Sequence, residues 1–398
     1  MFKLKNYWFL VVVWSFAQEC IVAAGGPITA EDRDRAVVFG SLAGFPPATL
    51  AKGVNILSID GGGVRGIVPA VVLELFEQDT GLQVSQAFDL IAGTSVGGLL
   101  TLGLTCPRVA TGQIPSAHDL VNEWPQLVAD VFQSRGVWSK IVTVGGFFGH
   151  YQHNPSHLND KLTTWWGPDA KLFPTPALPH IVTPRVPVII TSVDARLNVL
   201  KTFRNYRAAW DARQNFSLQN VGRATSAAPT YFPIAETNSL VPAPILPEHY
   251  LIDGGMAANN PSLLALTEAW HLYGYNTPVN IVRLGCGTET SNGNKPFDMA
   301  WCMRAESVID TLFSTQSDST SQILSSIGIA RKMHGAGKVK VFDLQISFPP
   351  DRMIMNNAEA ANIQSLITLT RQYWQHGGGL QQYTEMHQSV VGTYNNRP

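Results

Sequence analysis

A serine between two glycines constrains this chain more than any other feature. Ser95 lies in the pentapeptide Gly93-Thr94-Ser95-Val96-Gly97, which follows the apolar run 88–92 and precedes the apolar stretch 98–102. This order predicts a buried strand, a tight turn that holds the serine, and a helix. Side chains beside the serine would block the backbone and an approaching ligand, so glycine is needed there. The hydroxyl is then expected at the strand's carboxyl end, near the positive end of the helix dipole, as a nucleophile requires.

Strand-like and helix-like segments alternate along most of the chain. This alternation predicts an α/β fold of three layers, with a mostly parallel central sheet and helices on both faces. In such folds functional groups gather at the carboxyl ends of the strands. The predicted strands are 54–59, 88–92, 187–193, 250–252 and 279–284, and the predicted helices are 68–76, 98–102, 305–332 and 358–375.

A glycine-rich segment, Asp60-Gly61-Gly62-Gly63-Val64-Arg65-Gly66, follows the first predicted strand and opens a helix. Its glycine spacing fits a dinucleotide-binding loop. It also fits an oxyanion hole, because backbone N–H groups at a helix N-terminus are preorganised donors for an anionic oxygen. The serine turn on the next strand–helix unit favours the oxyanion hole, because a dinucleotide site has no use for such a serine.

A serine nucleophile needs a general base. All ten histidines of the chain follow Ser95, but none lies in a tight turn directly after a convincing strand. Asp253 follows the short strand-like run 250–252 and precedes Gly254-Gly255, a turn that would aim its carboxylate outward. A carboxylate can accept the serine proton directly if desolvation raises its pKa. An isolated Asp-Gly-Gly is more often an ordinary turn, so this motif alone leaves that alternative open.

Taken together, these motifs resemble those of the patatin-like phospholipase family. The resemblance rests on residues 60–66, 93–97 and 253–255, which stand in the family's order, and on the supporting segments 223–232 and 255–261. It extends from about residue 54 to about residue 287. One departure is Leu284-Gly285-Cys286-Gly287, where many relatives have Ser-Leu-Gly-Thr-Gly. That segment is structural, so the change does not affect the proposed catalytic pair.

The resemblance implies specific roles for these residues. Ser95 is the nucleophile and Asp253 the general base of a dyad without a catalytic histidine. An oxyanion hole is framed by the loop glycines with Arg65 beside it, and Arg65 either steadies the loop or attracts a phosphate head group. The oxyanion-hole glycines are Gly61, Gly62 and Gly63, and the other motif glycines are Gly66, Gly93, Gly97, Gly254 and Gly255.

The function implied by the resemblance is that of a serine lipid acyl hydrolase of the phospholipase A or lysophospholipase type. It would act on phospholipid or another acyl lipid through an acyl-enzyme, with transient contact to a membrane surface and no cofactor or metal. Two alternatives are an acyltransferase that uses the same dyad and a non-catalytic lipid-binding or storage protein. Composition argues against a nucleic-acid partner, because charged residues make up only 14% of the chain and the net charge is -1.

The N-terminus differs from the rest of the chain. Lys3 and Lys5 precede the uncharged apolar run 7–16, and small residues follow, which predicts a secretory signal peptide and hence an exported protein. The alternative is an uncleaved segment that anchors the protein to a membrane. The expected organisation is a signal peptide at 1–24, an N-terminal arm at 25–53, and a lipid acyl hydrolase domain at 54–398 with a helical C-terminal part at 298–398.

An insertion with a different texture is expected between residues 106 and 180. Its aromatic residues, including Trp138, Phe147 and Phe148 around a glycine-rich turn, predict an apolar patch that meets lipid beside the site. The alternative is that these aromatic side chains pack inside the protein. Four cysteines are present, and none has the spacing of metal ligands.

Overall fold

The computed structural model describes residues 53–132, 151–175, 180–209, 211–239, 249–290, 305–333 and 338–397. The expected signal peptide lies outside these residues, as do Trp138, Phe147 and Phe148 and all of the expected arm except Gly53. Among the helices of the described residues, none is both long enough and apolar enough to cross a membrane.

Strands and helices alternate as the sequence predicts. The strands are β1 (Val54–Ile59), β2 (Leu90–Thr94), β3 (Val188–Asp194), β4 (Val199–Arg204), β5 (Ala235–Thr237), β6 (His249–Asp253), β7 (Val279–Leu284), β8 (Thr288–Glu289), β9 (Val339–Leu344) and β10 (Ser347–Phe348). The helices are α1 (Ile67–Thr80), α2 (Val84–Ala87), α3 (Val96–Gly103), α4 (Ala117–Val131), α5 (Ser156–Trp166), α6 (Asn205–Ala208), α7 (Leu218–Thr225), α8 (Gly255–Ala258), α9 (Ser262–Tyr273), α10 (Ala305–Met333), α11 (Ala360–Gln375) and α12 (Leu380–Asn395).

The central sheet has the strand order β5-β6-β3-β2-β1-β7-β9, with β4 also paired to β3. Strands β3, β2, β1, β7 and β9 run parallel to one another, whereas β4, β5 and β6 pair antiparallel. The predicted mostly parallel sheet is therefore confirmed, and its antiparallel part lies at one end.

Both faces of the sheet are covered, which β1 shows most clearly. Leu57 and Ile59 pack into a core cluster with side chains of α1, α4 and α11. Val54 and Ile56 point to the other face and pack with α9 and with part of α10. All four side chains are at most 1% exposed, and burying each one contributes roughly 1.5–3 kcal/mol. The alternation of neighbouring residues between two buried faces produces the three layers.

One feature of the sheet brings two separate strand ends together. Strand β4 pairs with β3 along Ile189–Asp194, so β2 and β6 must share the opposite edge of β3. Strand β2 ends at Thr94, which pairs with Thr191, and β6 ends at Asp253, which pairs with the next residue of β3. Because β2 is parallel and β6 antiparallel to β3, these two strands run towards each other and their carboxyl ends meet.

Two expectations need correction. Strand β2 begins at Leu90 rather than residue 88, because residues 88 and 89 connect the strand to the short helix α2, which ends at Ala87. The segment 298–398 is not wholly helical, because β9 extends the parallel sheet beside β7. The alternating sequence of β9 is only six residues long and lies between long helices, so its strand character is easily missed. The insertion at 106–180 contains two regular helices, α4 and α5, within its described residues.

Candidate active site

Ser95 occupies the strained turn that its sequence predicts. Its φ and ψ angles are 56° and -126°, which an L-residue rarely adopts, and it directly precedes helix α3. A Cβ at Gly93 would lie 2.2 Å from the carbonyl oxygen of Gly97, and a Cβ at Gly97 would lie 2.2 Å from the carbonyl oxygen of Ile59. Both glycines are therefore required by the close approach of backbone to backbone.

The meeting of β2 and β6 places Ser95 against Asp253. The Ser95 hydroxyl donates a hydrogen bond to Asp253 Oδ2 at 2.6 Å, and the Gly255 N–H donates to Asp253 Oδ1 at 2.8 Å. The Asp253 side chain is fully buried, whereas Ser95 is 6% exposed. Within the described residues, no histidine hydrogen-bonds to either Ser95 or Asp253. The direct serine–aspartate contact is thus the only candidate proton path from the hydroxyl in this part of the chain.

Burial changes the proton affinity of Asp253. Desolvation raises the pKa of the Asp253 carboxyl to about 7, although the hydrogen bonds from Ser95 and Gly255 oppose the rise. No Lys or Arg of the described residues forms an ion pair with this carboxylate. A carboxyl group with a pKa near neutrality can both accept and return a proton, which is what a general base in acyl transfer must do.

The glycine-rich loop 60–66 joins β1 to helix α1 beside Ser95. Its first residue, Asp60, is fixed by Arg283 of β7, whose Nε lies 3.2 Å from Asp60 Oδ2. Arg283 Nη1 also donates to Asp343 Oδ1 at 2.6 Å. At Gly63 the φ angle is +59° and a Cβ would lie 2.3 Å from the Met355 carbonyl oxygen, so only glycine fits there.

The loop leaves two N–H groups as candidate oxyanion donors. The Gly61 N–H donates to the Asn259 carbonyl oxygen at 3.3 Å, so Gly61 frames the loop but has its donor occupied. The N–H groups of Gly62 and Gly63 bind no acceptor among the described residues. A Cβ at Gly61 would lie 3.0 Å from Ser95 Cβ, which shows how closely the loop approaches the serine.

Arg65 is turned towards the loop itself. Its Nε donates to the Gly62 carbonyl oxygen at 3.3 Å, and its Nη1 lies 3.6 Å from Met353 Sδ. The residue is only 8% exposed. Of the two roles expected for Arg65, these contacts support the steadying of the loop.

An apolar pocket extends from Ser95 and Gly63. One wall is a stripe along helix α4, formed by side chains three or four residues apart. Trp124 is fixed in this wall by a hydrogen bond of 3.0 Å from its Nε1 to the Val64 carbonyl oxygen. Apart from Ser95, Ser226 and the Tyr231 hydroxyl, the lining side chains are apolar. The lining residues are Gly63, Ser95, Val96, Leu99, Trp124, Leu127, Val128, Val131, Phe132, Leu158, Ser226, Ala228, Tyr231, Phe232 and Met355.

The remaining predicted site residues lie around the same point. Gly66 packs against Val96 and Trp124, and Gly254 approaches the backbone of Thr191 so closely that a Cβ would lie 2.6 Å from its carbonyl oxygen. No group of three or more His, Cys, Asp or Glu side chains in the described part of the chain could hold a metal ion.

Sequence reasoning missed two residues that hold the site together. Arg283 neutralises Asp60, and the only signal was an arginine within a largely apolar strand. Thr225 accepts the backbone N–H of Ser95 on its hydroxyl at 2.8 Å. It lies in the supporting segment 223–232, but the linear sequence gives no sign that it contacts Ser95, 130 residues away.

Comparison with known proteins places this arrangement in a family. A family model described as patatin-like phospholipase matches residues 57–266, which include the glycine-rich loop, the serine turn and Asp253. Patatin-like protein 3 of Arabidopsis thaliana is 34% identical over 239 residues, 56% of this chain and 53% of its own length. Patatin-like protein 2 of Oryza sativa subsp. indica is 32% identical over 225 residues, 54% of this chain and 53% of its own.

The similarity extends to potato and, weakly, to a solved structure. Patatin-T5 of Solanum tuberosum is 30% identical over 233 residues, 56% of this chain and 55% of its own. The crystal structure of VipD from Legionella pneumophila aligns with a TM-score of 0.34 and 11% identity, over 80% of this chain and 67% of its own. The chain thus matches about half the length of these curated relatives. Since the family model covers more than half of its residues, the chain belongs to the patatin-like phospholipase family.

Proposed function

We propose that this protein is a serine lipid acyl hydrolase that releases fatty acids through a Ser95–Asp253 dyad. The observation that carries the proposal is the 2.6 Å hydrogen bond from the Ser95 hydroxyl to a buried carboxylate whose pKa burial raises to about 7. Family membership supports lipid acyl hydrolysis in general. The dyad and the type of ester rest on the site geometry and remain part of the proposal.

In the first half of the proposed reaction, Ser95 attacks the ester. Its hydroxyl proton passes to Asp253 while Oγ forms a bond to the acyl carbonyl carbon. The carbonyl oxygen becomes negatively charged, and the N–H groups of Gly62 and Gly63 donate to it. When this intermediate collapses, the alcohol leaves and takes the proton from Asp253, so the acyl-enzyme contains an ionised Asp253 again.

In the second half, water replaces the leaving alcohol. Asp253 accepts a proton from the water, and the resulting hydroxide attacks the acyl carbon on Ser95. The second intermediate collapses with release of the fatty acid, and Ser95 Oγ recovers its proton from Asp253. Each half uses the same carboxyl as base and then as acid, which is efficient when its pKa lies near the working pH.

The apolar pocket supports an acyl lipid as the substrate. The stripe from Trp124 to Val131 runs for about 10 Å along helix α4, given a rise of 1.5 Å per residue. The Trp124 end of the stripe lies with Val96 against Gly66, next to Ser95. A bound ester could therefore lay its hydrocarbon chain along the stripe with its carbonyl at the nucleophile. Burying each methylene there would contribute about 0.8 kcal/mol.

A fluorophosphonate probe and a lipid assay test this proposal together. We expect the probe to label the wild-type protein but not Ser95→Ala, and phospholipid vesicles to release free fatty acid only with the wild type. Transfer of the acyl chain to an added alcohol in place of water would identify an acyltransferase with the same dyad. Equal lipid binding by both proteins, without labelling or release, would instead identify a non-catalytic lipid-binding protein.

Membrane contact and export are also proposed. Because its substrate must leave a bilayer, we propose that Phe147 and Phe148 touch the membrane. Their replacement by Ser should reduce hydrolysis of vesicle lipid far more than that of a short soluble ester, and an equal loss on both would refute the contact. We propose that residues 1–24 direct export, which requires that the secreted protein begin near residue 25.

A further inference from the structure

A single threonine touches both sides of the site. Thr225, the last residue of helix α7, is fully buried. Its hydroxyl oxygen accepts the Ser95 N–H at 2.8 Å, and its carbonyl oxygen accepts the Gly254 N–H at 3.4 Å. Two residues later, the Ala227 carbonyl oxygen accepts the Asp253 N–H at 3.0 Å. The chain at 225–227 therefore anchors the backbone on both sides of the serine–aspartate contact.

The Ser95 anchor is needed because the serine turn is strained. A residue at φ 56° and ψ -126° persists only when its surroundings hold it there. The Ser95 N–H is buried in this turn, and an unpaired buried N–H would cost about 1–3 kcal/mol. The Thr225 hydroxyl satisfies this group. Because the Ser95 N–H already donates to the Thr225 hydroxyl oxygen, it is not available to an oxyanion.

The Thr225 side chain is itself held in place from a second direction. Its Oγ1 and Cγ2 atoms lie 3.0 Å from where a Cβ would stand at Gly98, in the first turn of α3. A side chain packed this tightly has little freedom to follow a moving turn. The position of Ser95 relative to Asp253 therefore depends on the contact between Ser95 and Thr225 as well as on the direct hydrogen bond between Ser95 and Asp253.

We propose that Thr225 is a positioning residue for the reaction, and that its hydroxyl holds Ser95 at the distance from Asp253 that proton transfer needs. This inference rests on the proposed function. It assigns to the 223–232 segment a role beyond packing: the end of helix α7 sets the geometry of the nucleophile on one strand and of the base on another.

The test compares variants that keep or remove the acceptor. Thr225→Val keeps the shape of the side chain but removes the hydroxyl, whereas Thr225→Ser keeps the hydroxyl. Thr105→Val is the matched control, because Thr105 is equally buried and its hydroxyl is bonded to the Thr101 carbonyl oxygen. On a short soluble ester we expect Thr225→Val to lower kcat about tenfold with KM unchanged, as losing one such hydrogen bond in the transition state would. Thr225→Ser should recover most of this loss, and Thr105→Val should cause none.

A pH profile separates positioning from a general loss of structure. The hydrogen bond from Ser95 lowers the pKa of Asp253, so a displaced serine would let that pKa rise further. The acid limb of kcat/KM should therefore move to higher pH in Thr225→Val and not in Thr105→Val. Should Thr225→Val fail to fold, Thr225→Ala with Thr105→Ala as its control removes the same acceptor with less bulk.

Three outcomes would overturn the inference. A kcat for Thr225→Val equal to that of Thr105→Val would do so, as would a failure of Thr225→Ser to recover activity or an unmoved acid limb. If wild-type protein does not react with a fluorophosphonate at all, the proposed function fails as well. If the wild type reacts and Thr225→Val reacts equally fast, the role of Thr225 alone fails.

Discussion

Two aspartates at the same edge of the sheet are both buried, yet their surroundings differ in one respect. Asp60 follows β1 and is 2% exposed, and Asp253 ends β6 and is fully buried. Asp60 is paired with the Arg283 guanidinium, which in turn contacts Asp343. Asp253 has no cationic partner among the described residues and receives hydrogen bonds only from Ser95 and Gly255.

This difference separates a structural carboxylate from one suited to proton transfer. Burial raises the pKa of Asp60, but Arg283 works against that rise and gives the ionised form a partner. Burial of Asp253 meets no such compensation from an opposite charge, so its pKa rises to about 7. The comparison teaches that burial without a compensating cation, rather than burial alone, makes a carboxylate able to accept a proton near neutral pH.

The largest expected effect comes from removing either partner of the dyad. Ser95→Ala and Asp253→Asn should each lower kcat on a soluble ester by about 10⁴-fold, because groups that act as one unit fail together. The double variant should be little worse than either single variant. Steady-state kinetics of the four proteins measures this directly, with Thr105→Val as a control for disturbance of a buried polar residue.

This prediction would be refuted by near-normal turnover in Asp253→Asn combined with loss of turnover after substitution of a histidine. Such a result would mean that the base is a histidine. It would also remove the contrast between the two aspartates, because Asp253 would then be only a turn residue.

Breaking the ion pair between Asp60 and Arg283 should lower the stability of the fold rather than the rate of the chemical step. Arg283→Met leaves Asp60 buried without its cation, so we expect the free energy of unfolding to fall by about 3–5 kcal/mol. The matched control is Arg213→Met, whose partner Asp211 lies nearer the surface and whose own side chain is 73% exposed. That change should cost less than about 1 kcal/mol. Urea unfolding of both variants gives the comparison, and equal losses would mean that the Asp60 pair is no more important than a surface pair.

Replacing Asp253, the carboxyl without a cationic partner, should raise the free energy of unfolding rather than lower it. The raised pKa means that folded Asp253 keeps its proton until about pH 7, whereas the unfolded chain loses it near the ordinary value of 3.8. The contribution of this group to stability is therefore complete at low pH and is lost as pH rises towards 7. Asp253→Asn cannot ionise, so at pH 8 it should be more stable than the wild type by roughly 2–4 kcal/mol.

The measurement is the unfolding free energy of both proteins at pH 4.5 and pH 8. The stabilisation should be clear at pH 8 and much smaller at pH 4.5. A variant that is less stable than the wild type at pH 8 would show that the Asp253 carboxylate is well solvated or paired in the folded state.

Much of this arrangement could be predicted from the sequence, because its signals are local. The serine turn, the glycine-rich loop and strands β1 and β7 are encoded by neighbouring residues, and the structure has them where they were expected. That Ser95 and Asp253 lie in contact followed from the family resemblance. The physical cause, the head-on meeting of β2 and β6 along one edge of β3, depends on pairing between distant segments.

Other features could not be predicted for the same reason. The bond from the Ser95 N–H to Thr225 joins residues 130 positions apart. Arg283 and Asp60 are 223 positions apart, and nothing near either residue indicates its partner. The sequence predicts a helical region where the structure has strand β9, because the local strand signal is weak and the pairing with β7 decides the conformation. The catalytic roles of Ser95 and Asp253, the signal peptide and the aromatic patch stay predictions.

The most direct test of the central claim is an infrared titration of Asp253. The difference between the wild type and Asp253→Asn isolates the carbonyl band of one protonated carboxyl group, which is followed from pH 4 to pH 9. We predict that this band persists above pH 6 and disappears with a midpoint near 7, because the buried carboxyl has no cationic partner. A band already absent by about pH 5 would contradict the claim, because Asp253 would then ionise like an ordinary aspartate.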